Sequence, residues 1–259
     1  MDPGSAPARA DVNMPGRSRV VEAAYFHDLV TTAGDFNPFT DAGWEVLRRR
    51  FIALTHTRPA LRVLDVGCGT GQSRRLYIAQ AVAYTGVDLA EAALARARAR
   101  FPGDRWLCCD ARELPFPAGS FDLVAFSSVL HHIKDFDHAL REAHRVLVPG
   151  GTVFAFDPNL LNPAMALFRY PKSPLYSSQG VSPNEAPLLP RTIRVGFERA
   201  AFCDIRQRAQ SDIAYREVGP RLLNAGLKLF TLADRWFERS GLGRWFGVFV
   251  LTAARKPSR

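Results

Sequence analysis

Val63-Leu64-Asp65-Val66-Gly67-Cys68-Gly69-Thr70-Gly71-Gln72 decides the fold of this 259-residue chain. Leu61 to Val66 is nearly all apolar, which is how a parallel strand buried on both faces reads. It leads straight into three glycines in five residues. Glycine lets the backbone turn sharply and lets a ligand lie against it with no Cβ in the way. A strand ending in such a turn signals a nucleotide site, although a Gly-x-Gly turn alone also suits a purely structural bend.

The neighbours sharpen the signal. Ala83 to Asp88 reads as a second strand ending in an acid about 20 residues beyond the glycines, where a doubly wound fold puts a carboxylate on a ribose diol. Asp88 is the expected ribose ligand. A dinucleotide fingerprint needs Gly or Ala at its sixth position, and Gln72 stands there instead. Asp65, two residues before the first glycine, suits a cationic amino group or a sulfonium better than a pyrophosphate.

Short apolar runs alternate with helical patterns through the centre, the signature of βαβ units around a parallel sheet. Strands are expected at Arg105 to Cys109, Phe121 to Ser127 and Thr152 to Asp157, with helices at Glu91 to Phe101 and Asp135 to Leu147. Asp135 or Asp137 would cap the latter, and Pro149-Gly150-Gly151 would stop it. Arg191 to Ala201 reads as a helix, Cys203 to Ala209 as a strand, Leu222 to Phe237 as a helix with an apolar stripe and Val248 to Ala253 as the last strand. The expected fold is α/β: a Rossmann-like, doubly wound, seven-stranded, mostly parallel sheet with helices on both faces.

These pieces resemble the class I S-adenosylmethionine-dependent methyltransferases, in particular the small-molecule group around the ubiquinone/menaquinone-biosynthesis methyltransferases. The matches are Val63 to Gly71, Gly86-Val-Asp-Leu-Ala90, Cys109-Asp-Ala-Arg-Glu-Leu-Pro-Phe116, Ser120-Phe-Asp-Leu-Val124, Val129-Leu-His-His-Ile133 and Leu140 to Gly151. They occur in order, at family-like spacing. The resemblance implies S-adenosyl-L-methionine as cofactor, with Asp65, Gly67, Gly69 and Gly71 on its methionyl side, Asp88 on the ribose and Leu89 against the adenine. It also implies Asp110 accepting from the adenine amino group, with Ala111 beside it, and Ser127 at the same site. A turn cap is the plainer role for Asp110.

The flanks are where specificity is expected. Residues 1–16 read as a disordered tail and 17–259 as one methyltransferase domain. Within it, 17–57 would form an N-terminal helical cap, with helices at Val20 to Thr32 and Thr40 to Leu54 joined by Gly34 to Phe39. Residues 158–190 and 211–245 would be lid or acceptor-side insertions after strands five and six. The first holds seven prolines together with Phe168, Tyr170 and Tyr176, and a long irregular segment in a compact domain is usually a binding loop. The apolar stripe of the second could serve as core or lid, dimer face or membrane-surface contact.

Composition narrows the classes. Thirty-four basic against 25 acidic residues give +9, but the arginines are dispersed, so nucleic acid is not the expected partner. Cys68, Cys108, Cys109 and Cys203 lack metal spacing and read as apolar fillers, two of them in buried strands; no metal site is expected. There is neither a signal-peptide pattern nor an uncharged apolar run of membrane-spanning length. A soluble cytoplasmic protein is expected, with peripheral membrane contact and oligomeric state left open.

A methyl bonded to a sulfonium arrives already activated, so the protein must mainly align the reactants. A base matters where the acceptor is a hydroxyl or carbon acid. His131 and His132, at the carboxyl edge of the fourth strand, are the candidate catalytic bases, with Tyr25, His27 and Tyr176 as alternatives; packing or capping is the blander role. The expected reaction is methyl transfer to a small organic acceptor, oxygen of a partly hydrophobic metabolite first. C-methylation of a quinone or lipid-like acceptor, or cofactor binding without catalysis, is the alternative.

Overall fold

The glycine-flanked strand Leu61–Val66 (β1) lies in the middle of a sheet whose other strands are Ala81–Asp88 (β2), Arg105–Cys108 (β3), Phe121–Ser127 (β4), Leu147–Pro158 (β5), Cys203–Gln210 (β6) and Phe249–Arg255 (β7). The computed structural model describes residues 15–33, 37, 39–57, 59, 61–79, 81–176, 181–214 and 221–258, and for 15–18, 33, 82 and 221–229 the main chain only. The spatial order is β3-β2-β1-β4-β5-β7-β6. β1 to β5 run parallel, and β7 inserts antiparallel to both β5 and β6. The expected seven-stranded, mostly parallel sheet is therefore present. Its order reverses between β1 and β4, where an open α/β sheet leaves a crevice beyond the carboxyl ends of its strands.

Both faces are covered, as the unbroken apolar runs of the central strands require. On one face Leu47 and Phe51 of Asp41–Thr55 (α2) and Leu94 of Glu91–Arg100 (α4) pack against Val63, Leu123 and Phe154. On the other, Leu140 of Phe136–Val146 (α5) and Phe197 of Pro190–Arg199 (α7) pack against Leu64, Val124 and Val153. Truncating any one of these fully buried side chains to alanine would cost about 2–5 kcal/mol.

Two helices, Pro15–Ala33 (α1) and α2, precede β1. Thr40 starts α2 by accepting the Gly43 N–H at 3.1 Å. Asp135 occupies the N-cap position of α5 without making a capping bond, and Asp137 instead pairs with Arg199 at 3.4 Å. α5 ends at Val146, and the chain enters β5 at once, through Gly150 at φ 75°. Four-residue helices Arg74–Tyr77 (α3) and Gly243–Phe246 (α9) and the six-residue Pro163–Phe168 (α6) are too short for their periodicity to show in sequence. Arg221–Arg239 (α8) precedes α9.

Some expectations are corrected or fall elsewhere. Cys108 and Cys203 are exposed rather than buried, because β3 and β6 are the two edges of the sheet. Helix α1 begins at Pro15, inside the expected tail. Residues 1–14, most of the 34–38 joint, 177–180, 215–220 and the 222–229 half of the apolar stripe lie outside the described residues or side chains.

Candidate cofactor and acceptor site

The three glycines after β1 all adopt positive φ, at 71°, 52° and 81° for Gly67, Gly69 and Gly71. They do different things. A Cβ on Gly67 would lie 2.5 Å from the Val129 side chain, and one on Gly71 would lie 3.0 Å from Trp106. A Cβ on Gly69 would meet nothing within 4 Å, and Gly69 forms part of a cavity wall. Gly69 therefore leaves room for a ligand, whereas Gly71, absent from that wall, lets the turn pack on Trp106.

Asp88 ends β2 beside this turn. Its Oδ2 accepts the Gly69 N–H at 2.8 Å and its Oδ1 the Ala90 N–H at 2.9 Å. These bonds fix the carboxylate at the cavity wall, while burial raises its pKa. A diol donating to it would supply the hydrogen bonds that burial denies it from water.

Asp65 is placed differently from the sequence expectation. It is fully buried and lies behind the wall rather than on it. Oδ1 accepts from Ser127 Oγ at 2.5 Å, and Oδ2 from Ser73 Oγ and Tyr84 OH, both at 2.6 Å. Burial pushes its pKa up to about 6 against the pull of these donors. Of its three hydroxyl partners, Ser73 and Ser127 line the cavity.

The cavity holds about 600 Å³ at the β1/β4 crevice, within the usual range for small-molecule sites. Leu89, Asp110 and Ala111, the residues expected at the adenine, form part of its wall. Asp110 accepts the Arg112 N–H at 2.9 Å, as a turn cap does, and pairs with the Arg112 guanidinium at 2.7 Å and with Arg19 at 3.3 Å. Burial pushes its carboxyl up, but the Arg112 hydrogen bonds outweigh that and hold it below the usual range. The opening at Gly69, the carboxylate of Asp88 and the apolar Leu89 fit an adenosyl cofactor.

The rest of the cavity belongs to the flanks. Tyr25 and Phe26 of α1, Phe39, Trp44, Met165 of α6 and Phe249 line it, so this part of the wall is largely aromatic and apolar. His27 is exposed, and neither it nor Tyr176 reaches the wall. Tyr25 does, with its pKa raised by burial and by Glu185.

His131 and His132 stand together on a short 3₁₀ turn, Leu130–His132, after β4, their ring centroids 4.0 Å apart. Asp157, at the end of β5 and fully buried, places Oδ1 2.8 Å from His131 Nδ1 and accepts the His131 main-chain N–H at 3.1 Å. An oxygen already accepting one N–H is set to accept Nδ1–H as well, leaving Nε2 as the basic nitrogen. Burial pushes Asp157 up to about 8 and His131 well below its ordinary value. His132 Nδ1 lies 2.8 Å from Glu22 of α1 and 2.9 Å from Ser182. Ser182 Oγ also donates to Glu22, which takes the Asn184 side-chain amide at 3.0 Å. One atom each of His131, His132 and Glu185 lies within 4.8 Å of the others, the sole trio of metal-competent side chains among the described residues. With an acid beside each imidazole, the cluster has the groups to hold and pass a proton.

Sequence reasoning missed Glu22, Asp157 and Glu185 as members of this cluster. Asp157 alone had a signal, an acid ending a strand. Glu22 lies 110 positions from His132, and nothing local marks it.

Comparison with known proteins supplies the context. Residues 64–155 match a family model described as a methyltransferase domain. The chain is 35% identical over 187 residues to the ubiquinone/menaquinone biosynthesis C-methyltransferase UbiE of Desulfotalea psychrophila, covering 69% of this chain and 70% of that one. It is 36% identical over 136 residues to a demethylmenaquinone methyltransferase of Symbiobacterium thermophilum, covering 49% and 54% respectively. It is 39% identical over 127 residues to the 27-O-demethylrifamycin SV methyltransferase of Amycolatopsis mediterranei, covering 46% of each. The chain thus spans about half the length of these last two relatives. Among solved structures, an S-adenosylmethionine-dependent methyltransferase from Mesorhizobium loti superposes with a TM-score of 0.58 at 24% identity, covering 83% of this chain and 98% of that one.

Proposed function

Since this chain belongs to the class I S-adenosylmethionine-dependent methyltransferases, we propose that it moves a methyl group to the oxygen of a small, partly hydrophobic acceptor. The observation that supports an acceptor that must lose a proton, a hydroxyl first and a carbon acid as the alternative, is the 2.8 Å pairing of His131, on the wall of the cofactor cavity, with buried Asp157. A hydroxyl stays protonated near neutral pH and needs a base as it attacks, whereas an amine or thiolate often does not.

Bound S-adenosylmethionine supplies a methyl made electrophilic by its sulfonium. The chain's own residues then divide the work. Ser73, Ser127 and the Gly69 turn seat the methionyl end, and Asp88 takes the ribose. His131 Nε2 receives the proton of the acceptor hydroxyl, and Asp157 fixes the tautomer and offsets the charge on the ring. Glu22, Ser182 and Asn184 tie α1 over the cavity, excluding water from the reacting groups.

Incubation of the protein with methyl-labelled S-adenosylmethionine and a panel of phenols, hydroxyquinones and macrocyclic alcohols tests this reading. The expected product is a methyl ether whose formation His131→Gln slows at unchanged cofactor affinity. Label on carbon would favour the quinone C-methylation activity named for the Desulfotalea relative. Cofactor binding with no labelled product from any acceptor would favour a binding protein.

A further inference from the structure

The surface formed by α8 and α9 has an unusual composition. Leu232 and Trp236, one turn apart on α8, are 62% and 59% exposed, and Trp245 of α9 is 58% exposed. Single exposed apolar residues are normal, but large ones side by side are not. The two helices that carry them meet: Trp236 lies against Phe237 with ring centroids 5.5 Å apart, and Phe237 against Phe246 of α9 at 6.3 Å.

The patch continues into the segment after β5. Asn159 Nδ2 donates to the Trp245 and Gly247 carbonyls at 3.0 and 2.8 Å, and Asn162 Nδ2 to the Phe246 carbonyl at 2.8 Å. Asn162 also starts α6 by accepting the Ala164 N–H at 3.1 Å. α6 turns Met165 to the cavity and leaves Leu167 and Phe168 41% and 47% exposed. One short helix thus joins the cavity wall to the apolar surface.

Charge completes the pattern. Residues 158–184 contain no Asp or Glu but carry Arg169 and Lys172. Residues 230–246 carry Arg235, Arg239 and Arg244 and two acids, neither free on the surface. Asp234 is buried and accepts the Asp212 N–H, while Glu238 is tied to Arg50 at 3.0 Å and Arg208 at 3.4 Å. Arg235 pairs with Asp212 at 3.3 Å, whereas Arg239 lies one turn from Trp236 and Arg244 next to Trp245; tryptophan and leucine flanked by such arginines match the boundary between anionic headgroups and acyl chains. No helix among the described residues is long and apolar enough to cross a membrane, so the contact would lie on the surface.

We propose that the face made by α6, α8 and α9 docks on an anionic phospholipid bilayer. The docking itself is independent of the methyl-transfer reading. That the docked protein draws a membrane-held acceptor past Met165 into the cavity rests on that reading.

The test is co-sedimentation of the full chain with vesicles of phosphatidylcholine alone or mixed with phosphatidylglycerol, with intrinsic tryptophan emission as a second readout. The mixed vesicles should carry the protein down, with a blue shift, and binding should weaken as salt is raised. Trp236→Ser with Trp245→Ser should reduce binding at least about tenfold. Arg239→Gln and Arg244→Gln should each reduce it about fivefold on anionic vesicles. Every variant is first checked for S-adenosylhomocysteine binding in the absence of lipid. That control reports folding, and activity on a water-soluble acceptor tests the methyl-transfer reading separately. Wild-type protein that binds S-adenosylhomocysteine but stays in the supernatant with mixed vesicles overturns the proposal. So does a self-associating wild type made monomeric by the tryptophan substitutions with vesicle binding unchanged, because a second copy would then cover this face.

Discussion

Asp157 Oδ1 receives both the main-chain N–H and the Nδ1 edge of His131, at 3.1 and 2.8 Å. The ring is thereby held at two points of one residue, and its free nitrogen has a fixed direction. His131→Gln should lower kcat by about 10²–10⁴, with the dissociation constant of S-adenosylhomocysteine unchanged by calorimetry. Asp157→Asn should lower kcat in the same direction. An equal loss of cofactor affinity in either variant would assign the pair to the cofactor instead.

The pair also sets a pH dependence. Burial pushes Asp157 up to about 8 and His131 down, so below about 8 Asp157 is protonated and cannot offset a charge on the ring, and above it the carboxylate can. The kcat for a hydroxyl acceptor should therefore rise with pH on a limb centred near 8. A profile flat from pH 6 to 9, with chemistry shown to be rate-limiting, would remove the base from the mechanism.

Buried carboxyls with raised pKa give stability an unusual slope. Asp65 is pushed up to about 6 and Asp157 to about 8, in both cases by burial. Between the unfolded carboxylate value near 4 and these values the folded state binds the extra protons, so stability is greatest on the acid side and falls as pH rises. The melting temperature of the cofactor-free protein should decline between about pH 5 and 8. Asp157→Asn should flatten the upper half of that decline, which differential scanning calorimetry across pH can read.

Two glycines should separate binding from folding. At Gly69 an added Cβ meets nothing within 4 Å, while at Gly86 it would sit 2.5 Å from Trp106 and 2.8 Å from Cys68 Sγ. Gly69→Val should leave a folded protein, strained by about 1–2 kcal/mol at its positive φ, with cofactor affinity sharply reduced. Gly86→Ala should overpack the core by about 1–3 kcal/mol while leaving the affinity of the folded fraction intact. Thermal melts with and without S-adenosylhomocysteine distinguish the two.

Asp88→Ala removes the partner of a buried diol and the acceptor of two main-chain N–H groups. Each charge-assisted bond contributes about 1.5–3 kcal/mol, so cofactor affinity should fall at least about tenfold. An unchanged affinity would place the ribose elsewhere.

The sheet was legible because parallel strands buried on both faces leave continuous apolar runs, and β1, β4 and β5 are such runs. The candidate cofactor residues stand out in the sequence because each is marked locally: Gly69 follows β1 and Asp88 ends β2. The partners of the two histidines do not. His132 meets Glu22 only because α1 folds back across the sheet edge, and His131 meets Asp157 only because β4 and β5 pair in parallel, which brings residues 26 positions apart to one level. The misplacement of Cys108 and Cys203 has the same origin, since edge and centre are properties of strand order and a single strand's sequence does not carry them.

The three hydroxyls around Asp65 have a consequence for what the crevice accepts. Ser73 and Ser127 each spend their only proton on that carboxylate, and Tyr77, 2.9 Å from Ser127 Oγ, can then only donate to it. What Ser73 turns outward is lone pairs alone. At that point the wall is blind to carboxylates and phosphates, which need a hydrogen atom to hold, and receptive to an ammonium group. A single buried acid thus works as a sign filter for incoming ligands without touching any of them.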